Sequence, residues 1–286
     1  MEEIWTIAKL LSWTTEYFTK KAIGSARLDA ELLLADLLGY DRIHLYVNFD
    51  RPMLADELAT YKELIKRRAA NEPLAYILGR REFYKLIFTV TPAVLIPRPE
   101  TEILVAAAIE HARLTVAMRA LDLGTGSGAI AVSLLANLPE LQIVAGDLSA
   151  SALDIARANS EKHHVADRAE FVLSDWFSNI AAQQFDIIVS NPPYIAAAER
   201  GKLQPELRYE PQSALYADDD GLCCYRAILA NAHAYLSTKG KLFLEVGCNQ
   251  AAAVKEIARS INKYGNVEFI KDYAGIDRVL IVSAAG

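Results

Sequence analysis

The sequence predicts an α/β protein with a Rossmann-like, seven-stranded, mostly parallel sheet, preceded by a small all-helical domain. Three observations carry this expectation. Strand-like and helix-like runs alternate from residue 119 onward, and glycines follow the first strand where a helix should start. Before residue 80, helix-period apolar stripes dominate instead. A chain of 286 residues exceeds the usual single-domain size, so two domains are expected. The boundaries read as a helical domain over 1–80, a β-hairpin linker over 81–98 and a third segment over 99–286.

In the first part, "SARLDAELLLADLLGY" opens with Ser25 as an N-cap and closes with Gly39 past the last turn, with Leu32, Leu33, Leu37 and Leu38 as its apolar stripe. Residues 54–70 form a second helix that Pro73 ends. The run "REFYKLIFTVTPAVLIP" has strand composition and then meets prolines, which suggests the hairpin. In "RPETEILVAAAIEHA", Pro99 suits a first helical turn, and Glu100 and Glu102 suit the positive end of a helix dipole, so capping is their expected role. Seven strands follow in "RALDLG", "LQIVAGD", "AEFVLSD", "FDIIVSN", "GKLFLEVG", "VEFI" and "RVLIV". Helices fall between them in "GAIAVSLLANL", "SASALDIARANSEKH", "GLCCYRAILANAHAYL" and "NQAAAVKEIARSINKYG". Parallel sheets of this kind carry helices on both faces.

Composition excludes several classes. Hydrophobic residues at 52% and charged residues at 23% describe a globular protein. Three cysteines without a CxxC spacing indicate neither a disulfide framework nor a zinc site, and five scattered histidines are expected to be structural. No metal is expected. The amino terminus lacks a secretory apolar core, and no apolar run reaches bilayer-spanning length, so a cytoplasmic protein without a membrane partner is expected. Nothing demands more than a monomer. Residues 1–90 hold 13 basic and 13 acidic side chains, so the net charge of -6 lies wholly in the 17 basic and 23 acidic side chains of 91–286. That part is a poor electrostatic match for nucleic acid, and no stable nucleic acid partner is expected. The basic clusters Lys66, Arg67, Arg68 and Arg80, Arg81 read as solvated helix faces.

Ligands of open parallel sheets bind beyond the carboxyl ends of the strands. After the first strand, "LDLGTGSGAIA" places Gly124, Thr125, Gly126, Ser127 and Gly128 at a helix start, where glycine lets a ligand approach the backbone. Gly124, Gly126 and Ala129 also satisfy a GxGxxA dinucleotide fingerprint, so the loop alone leaves hydride and methyl chemistry open. Asp147 ends the second strand, nineteen residues past Gly128, where a carboxylate can hold a ribose. Its alternative role is capping the next helix, for which Ser149 also stands in place. The third strand ends in Asp175 and Trp176, able to bond and stack on an adenine.

The fourth strand ends in "NPPY", which favours methyl transfer to an amide or amino nitrogen. Such a nitrogen is a weak nucleophile because its lone pair is delocalised, so its two N–H bonds must be held and its lone pair aimed. The side-chain oxygen of Asn191 and the carbonyl of Pro192 are two such acceptors. Pro192 and Pro193 restrict the backbone so that both acceptors stand ready, and Tyr194 offers a face for a planar group.

Together "NEPLAYILGRREFYKLIFTVTPAVLIPRPETE", "LDLGTGSGAIA", "SDWF", "VSNPPYI", "YEPQSAL", "DGL" and "AGIDRVLIV" make the chain resemble the HemK-type protein-(glutamine-N5) methyltransferases that act on peptide chain release factors. The resemblance covers nearly the whole sequence. It implies an S-adenosyl-L-methionine-dependent enzyme of Rossmann-like methyltransferase fold that methylates the side-chain amide nitrogen of the glutamine in the release factor's Gly-Gly-Gln motif. By motif, Gly124, Thr125, Gly126, Ser127, Gly128, Asp147, Trp176 and Asn191 would hold the methyl donor. Asn191, Pro192, Pro193 and Tyr194 would form the glutamine site, with Asn191, Pro192 and Tyr194 catalytic, and the helical domain would help dock the release factor. The "YADDDGL" segment over 216–222 is more acidic than the resemblance leads one to expect, and Cys223 and Cys224 read as helix-packing residues. Three other readings remain: a DNA or RNA amino-methylating enzyme, a glutamine methyltransferase of a ribosomal protein, and a nucleotide-binding protein without turnover.

Overall fold

The computed structural model describes residues 4–199, 201, 203–218 and 220–285. Asp219, in the acidic segment, lies outside the described residues. The chain divides into two compact units, one of residues 1–79 with 204–209, the other of 80–203 with 210–286.

The smaller unit is helical: α1 (Ile7–Lys20), α2 (Ala26–Leu38), α3 (Arg42–Val47), α4 (Ala55–Ala69) and α5 (Leu74–Leu78). Local chemistry sets their ends. Asp41 accepts the His44 N–H at the start of α3, and Glu57 reaches back to the Leu54 N–H ahead of α4. Gly39 ends α2 with φ +65°, a left-handed turn that glycine takes without strain. Ser25 precedes α2 as expected, but its hydroxyl donates to the Asp29 carboxylate instead of capping the helix. The buried face of α2 also differs from the expected stripe. Ala30, Leu33 and Leu34 are fully buried while Leu32, Leu37 and Leu38 are half-buried, because α2 packs against both α1 and α4.

Arg68 corrects the expectation of a solvated basic cluster. It is buried, donates to Asp29 Oδ2 at 2.6 Å and to the Glu72 carbonyl at 3.1 Å, and pairs with Glu206. Glu206 belongs to the short 3-10 helix Pro205–Tyr209, whose Arg208 and Tyr209 both donate to the Ala70 carbonyl. These bonds explain why residues 204–209, far along the chain, group with the helices. Removing one partner of a buried ion pair leaves the other charge unsatisfied, so Arg68→Ala is expected to cost about 3 to 5 kcal/mol. Chemical denaturation checks this: a loss under about 1 kcal/mol would place the pair among weak surface bridges.

The larger unit opens with a hairpin of β1 (Arg80–Phe83) and β2 (Leu86–Thr89), whose turn residues Tyr84 and Lys85 both have positive φ, at 48° and 62°. A two-residue turn of that handedness matches the twist of the strands it joins. There follow α6 (Thr101–Thr115), β3 (Arg119–Leu123), α7 (Ala129–Asn137), β4 (Gln142–Asp147), α8 (Ala150–Lys162), β5 (Ala169–Leu173) and β6 (Phe185–Ser190). The chain continues through α9 (Gln212–Leu215), α10 (Cys223–Tyr235), β7 (Leu236–Glu245), α11 (Ala251–Ile261), β8 (Tyr264–Lys271) and β9 (Asp277–Ala284). The seven-stranded sheet has the order β5-β4-β3-β6-β7-β9-β8, and only β9 runs against the others. All seven strands fall where the sequence places them.

Side chains alternate across the sheet. On β6, Ile187 and Val189 join a core with Leu104, Ile130 and Leu134, while Ile188 joins the opposite core with Tyr225, Leu229 and Val254. Each such fully buried aliphatic contributes about 1.5 to 3 kcal/mol. Pro99 stands two residues ahead of α6, not within it, and Glu102 accepts the Tyr84 N–H at 2.9 Å. Glu102 therefore ties the hairpin to α6, and neither glutamate caps the helix through its side chain.

Candidate functional site

Because β4 and β5 lie on one side of β3 and β6 on the other, the strand order reverses between β3 and β6. The carboxyl ends of these two strands flank the place where open α/β sheets bind ligands. A cavity of 660 Å³ lies there, walled by Gly124, Gly126, Asp147, Trp176, Asn191 and Pro193 among others. That volume falls within the ~300 to 1,000 Å³ of small-molecule sites.

The glycine loop divides its work. Gly126 has φ +56° and open space where a side chain would stand, so its bare backbone faces the cavity. Gly128 has φ +77° and would bring a Cβ to 3.1 Å from that of Ala156, so it serves close packing of α7 on α8. Thr125 and Ser127 are buried and are not among the residues that wall the cavity. The Thr125 hydroxyl donates to Asp122 Oδ2 at 2.7 Å, and the Ser127 carbonyl accepts from Asn159 Nδ2 at 2.8 Å. Asn159 also bonds both the N–H and the carbonyl of Thr89, which joins the hairpin, the glycine loop and α8 through one side chain.

Asp147 ends β4 with its carboxylate at the cavity wall. Oδ2 accepts the Gly126 N–H at 2.8 Å and Oδ1 the Ser149 N–H at 2.9 Å, while the cap of α8 is the Ser149 hydroxyl, which accepts the Ala152 N–H. Asp147 is thus free of the capping role, and each oxygen keeps a lone pair for a ribose diol. Trp176 follows β5 with φ +48°, an uncommon conformation for a bulky residue. The Ser174 hydroxyl holds it by donating to the Trp176 carbonyl while accepting the Asn179 N–H. The ring stands over Gly124 and walls the cavity together with Asp175. An open glycine backbone, a carboxylate and an indole on one cavity suit a nucleoside-bearing methyl donor such as S-adenosyl-L-methionine.

Asn191 and Pro193 wall the same cavity from the end of β6. The Asn191 amide donates from Nδ2 to Thr101 Oγ1 at 3.0 Å, and Thr101 Oγ1 donates to Glu245 Oε2 at 2.6 Å. Pro192 is buried, and Tyr194 packs its ring on Gly247 while its carbonyl accepts from Gln250 Nε2 at 2.9 Å. Burial pushes the Tyr194 phenol up to about 12, so it stays neutral. Glu210, which the sequence did not single out, accepts the Ile96 N–H and pairs with Arg98 at 2.6 Å. It thereby ties the loop after the Asn-Pro-Pro-Tyr segment to the segment holding Pro92–Leu95, which also walls the cavity.

Cys223 and Cys224 correct the packing expectation, since both line the cavity at the start of α10, with sulfurs 3.7 Å apart. Burial, with Cys223 beside it, pushes the Cys224 thiol up to about 12, so it is a poor nucleophile. In the acidic segment, Asp220 pairs with Arg226 at 2.5 Å and accepts the Leu222 N–H.

Asp122 lies beneath the loop, fully buried. Burial, opposed by the Thr125 hydroxyl and reinforced by Asp147, pushes its carboxyl up to about 7. The folded protein therefore keeps a proton that the unfolded chain releases near pH ~4, so this group lowers stability progressively as pH rises between those values. Asp122→Asn is expected to raise the thermal midpoint relative to the parent more at pH 8 than at pH 5.5. An equal shift at both values would show that Asp122 is already ionised at pH 5.5.

Comparison with known proteins agrees with this architecture. Residues 9–79 match the PrmC N-terminal domain and residues 100–215 the methyltransferase small domain. The release factor glutamine methyltransferase of Geobacter sulfurreducens is 46% identical over 279 residues, covering 97% of this chain and 96% of that protein. The chain belongs to the release factor glutamine methyltransferase family. A second family member, from Rhodopirellula baltica, is 40% identical over 98% of this chain and 97% of its own length. Among solved structures, the hMettl16 catalytic domain in complex with a 3'UTR hairpin superposes with a TM-score of 0.59 at 20% identity, covering 82% of this chain and 84% of that one. A methyltransferase from Pyrococcus furiosus gives 0.51 at 20% identity over 76% of this chain and 97% of that one. These two share the sheet architecture of this family member. No helix among the described residues is long and apolar enough to cross a membrane.

Proposed function

We propose that this chain methylates the side-chain amide nitrogen of the glutamine in the Gly-Gly-Gln motif of peptide chain release factors, in the cytoplasm and as a monomer. The observation that carries the reading is the placement of Asn191 on the cavity that Gly126, Asp147 and Trp176 also wall. S-adenosyl-L-methionine supplies an electrophilic methyl group on its sulfonium. Asp147 holds the ribose, Trp176 stacks on the adenine, and the bare backbone at Gly124 and Gly126 lets the donor approach. Asn191 Oδ1 and the Pro192 carbonyl accept the two N–H bonds of the glutamine amide, which turns its nitrogen lone pair toward the methyl carbon. Pro193 keeps this backbone fixed, and Tyr194 borders the planar amide. The nitrogen becomes strongly acidic as it gains the methyl group, so positioning and electrostatics carry the rate without a strong base. The smaller helical unit serves release factor docking.

The acidic balance of residues 91–286 disfavours a nucleic acid substrate. The test is incubation with labelled methyl donor and a panel of release factors, ribosomal proteins, DNA and RNA. Label on a release factor is the expected result, and label confined to nucleic acid or ribosomal protein overturns the reading.

A further inference from the structure

The two ends of an asparagine side-chain amide are nearly the same size, yet only the oxygen end can accept a substrate N–H. The prolines that follow Asn191 fix its backbone but not a half-turn about its terminal torsion, which is broad and roughly two-fold. Something else must select the end that faces the substrate.

Thr101, the first residue of α6, and Glu245, the last of β7, are both buried and meet Asn191 in one line of hydrogen bonds. We propose that Thr101 and Glu245 are positioning residues that lock the Asn191 amide with its nitrogen inward and its oxygen toward the substrate. The selection follows from counting protons. An ionised Glu245 can only accept, so the single Thr101 hydroxyl proton must point at it. The Thr101 oxygen then offers Asn191 a lone pair, which suits the Nδ2 end and repels Oδ1. A protonated Glu245 can donate to Thr101 instead. The Thr101 proton is then free to reach Asn191 Oδ1, and the amide can turn over.

Glu245 is surrounded by groups that set this balance. Arg98 and Glu100 ahead of α6, Arg278 on β9, Tyr194 after β6 and Tyr225 on α10 all act on it or feel its charge. Burial is the largest influence, and against the Thr101 hydroxyl and the two arginines it pushes the carboxyl up to about 7. The selection therefore strengthens as pH rises through that value and fades below it.

This inference rests on the reading of Asn191 as the acceptor of the glutamine amide, and the test separates the two. The Asn191 side-chain NH2 signals in a nitrogen-15 NMR spectrum, assigned by their loss in Asn191→Asp, report the lock without any substrate. Slow solvent exchange of these protons is expected in the parent and in Thr101→Ser, and fast exchange in Thr101→Val. Equal exchange in all three overturns the proposal, even in an active enzyme. With a release factor, Thr101→Val is expected to lower kcat about tenfold or more, with KM and the donor dissociation constant within about threefold, while Thr101→Ser recovers kcat to within about threefold of the parent. A serine variant as impaired as the valine one would make the role one of packing and overturn it. Should Thr101→Val not fold, Glu245→Gln decides: its kcat is expected to be low and flat from pH 6 to 8, where the parent rises. A parent-like pH profile in that variant overturns the proposal. Locked NMR signals in a parent that labels no release factor would sink the substrate reading and leave the lock standing.

Discussion

Asn191→Ala is expected to lower kcat on a release factor about a hundredfold or more, while the dissociation constant for S-adenosyl-L-methionine stays within about threefold. Under the proposed function, alanine removes the side-chain oxygen that Asn191 offers the substrate nitrogen. The backbone that places Pro193 on the cavity wall stays fixed by the prolines themselves. Ile195 also pairs with Leu215 and Ala217 through backbone hydrogen bonds, so the loop keeps its course without the asparagine. Stopped-flow or single-turnover measurement of methyl transfer, beside calorimetry of donor binding, checks both halves. Equal loss of binding and turnover would show that Asn191 mainly holds the donor.

Asp147→Ala is expected to act on binding first, weakening the donor dissociation constant about tenfold to a hundredfold. Hydrogen bonds to charged groups are stronger than neutral ones, and this carboxylate is largely desolvated, with burial raising its pKa. The substitution also releases the Gly126 and Ser149 N–H groups that the carboxylate now holds. Asp147→Asn separates these effects, because it keeps the shape but loses the charge. Calorimetry with S-adenosyl-L-methionine reads the outcome, and an unchanged dissociation constant in Asp147→Ala would remove the ribose role altogether.

Much of this architecture was legible because a buried parallel sheet writes itself plainly. Runs such as "IIVS" on β6 are apolar on both faces and end abruptly in residues that cannot extend a strand. That Gly124, Gly126, Asp147 and Asn191 come together on one cavity was legible for a related reason, since the strand ends of an open parallel sheet share one edge. Side-chain partnerships between distant segments were not. Thr101 reads as one more residue at a helix start, and its bonds to Asn191 and Glu245 span 90 and 144 residues of sequence. Arg68 sits in a run of basic residues that looks solvated, and only Glu206, 138 residues away, together with Asp29 shows why it is buried. Glu102 misled for the opposite reason. A carboxylate in a first helical turn usually serves that helix, but here the Tyr84 N–H in the hairpin turn claims it. Cys223 and Cys224 carried no periodic signal that could separate a helix-packing role from a cavity wall.

Tandem mass spectrometry of a release factor incubated with this protein and labelled S-adenosyl-L-methionine tests the proposed function most directly. A single methyl group on the side-chain amide nitrogen of the Gly-Gly-Gln glutamine, absent when Asn191→Ala replaces the parent protein, is the expected result. A methyl group on any other residue, or an undiminished yield with Asn191→Ala, would contradict it.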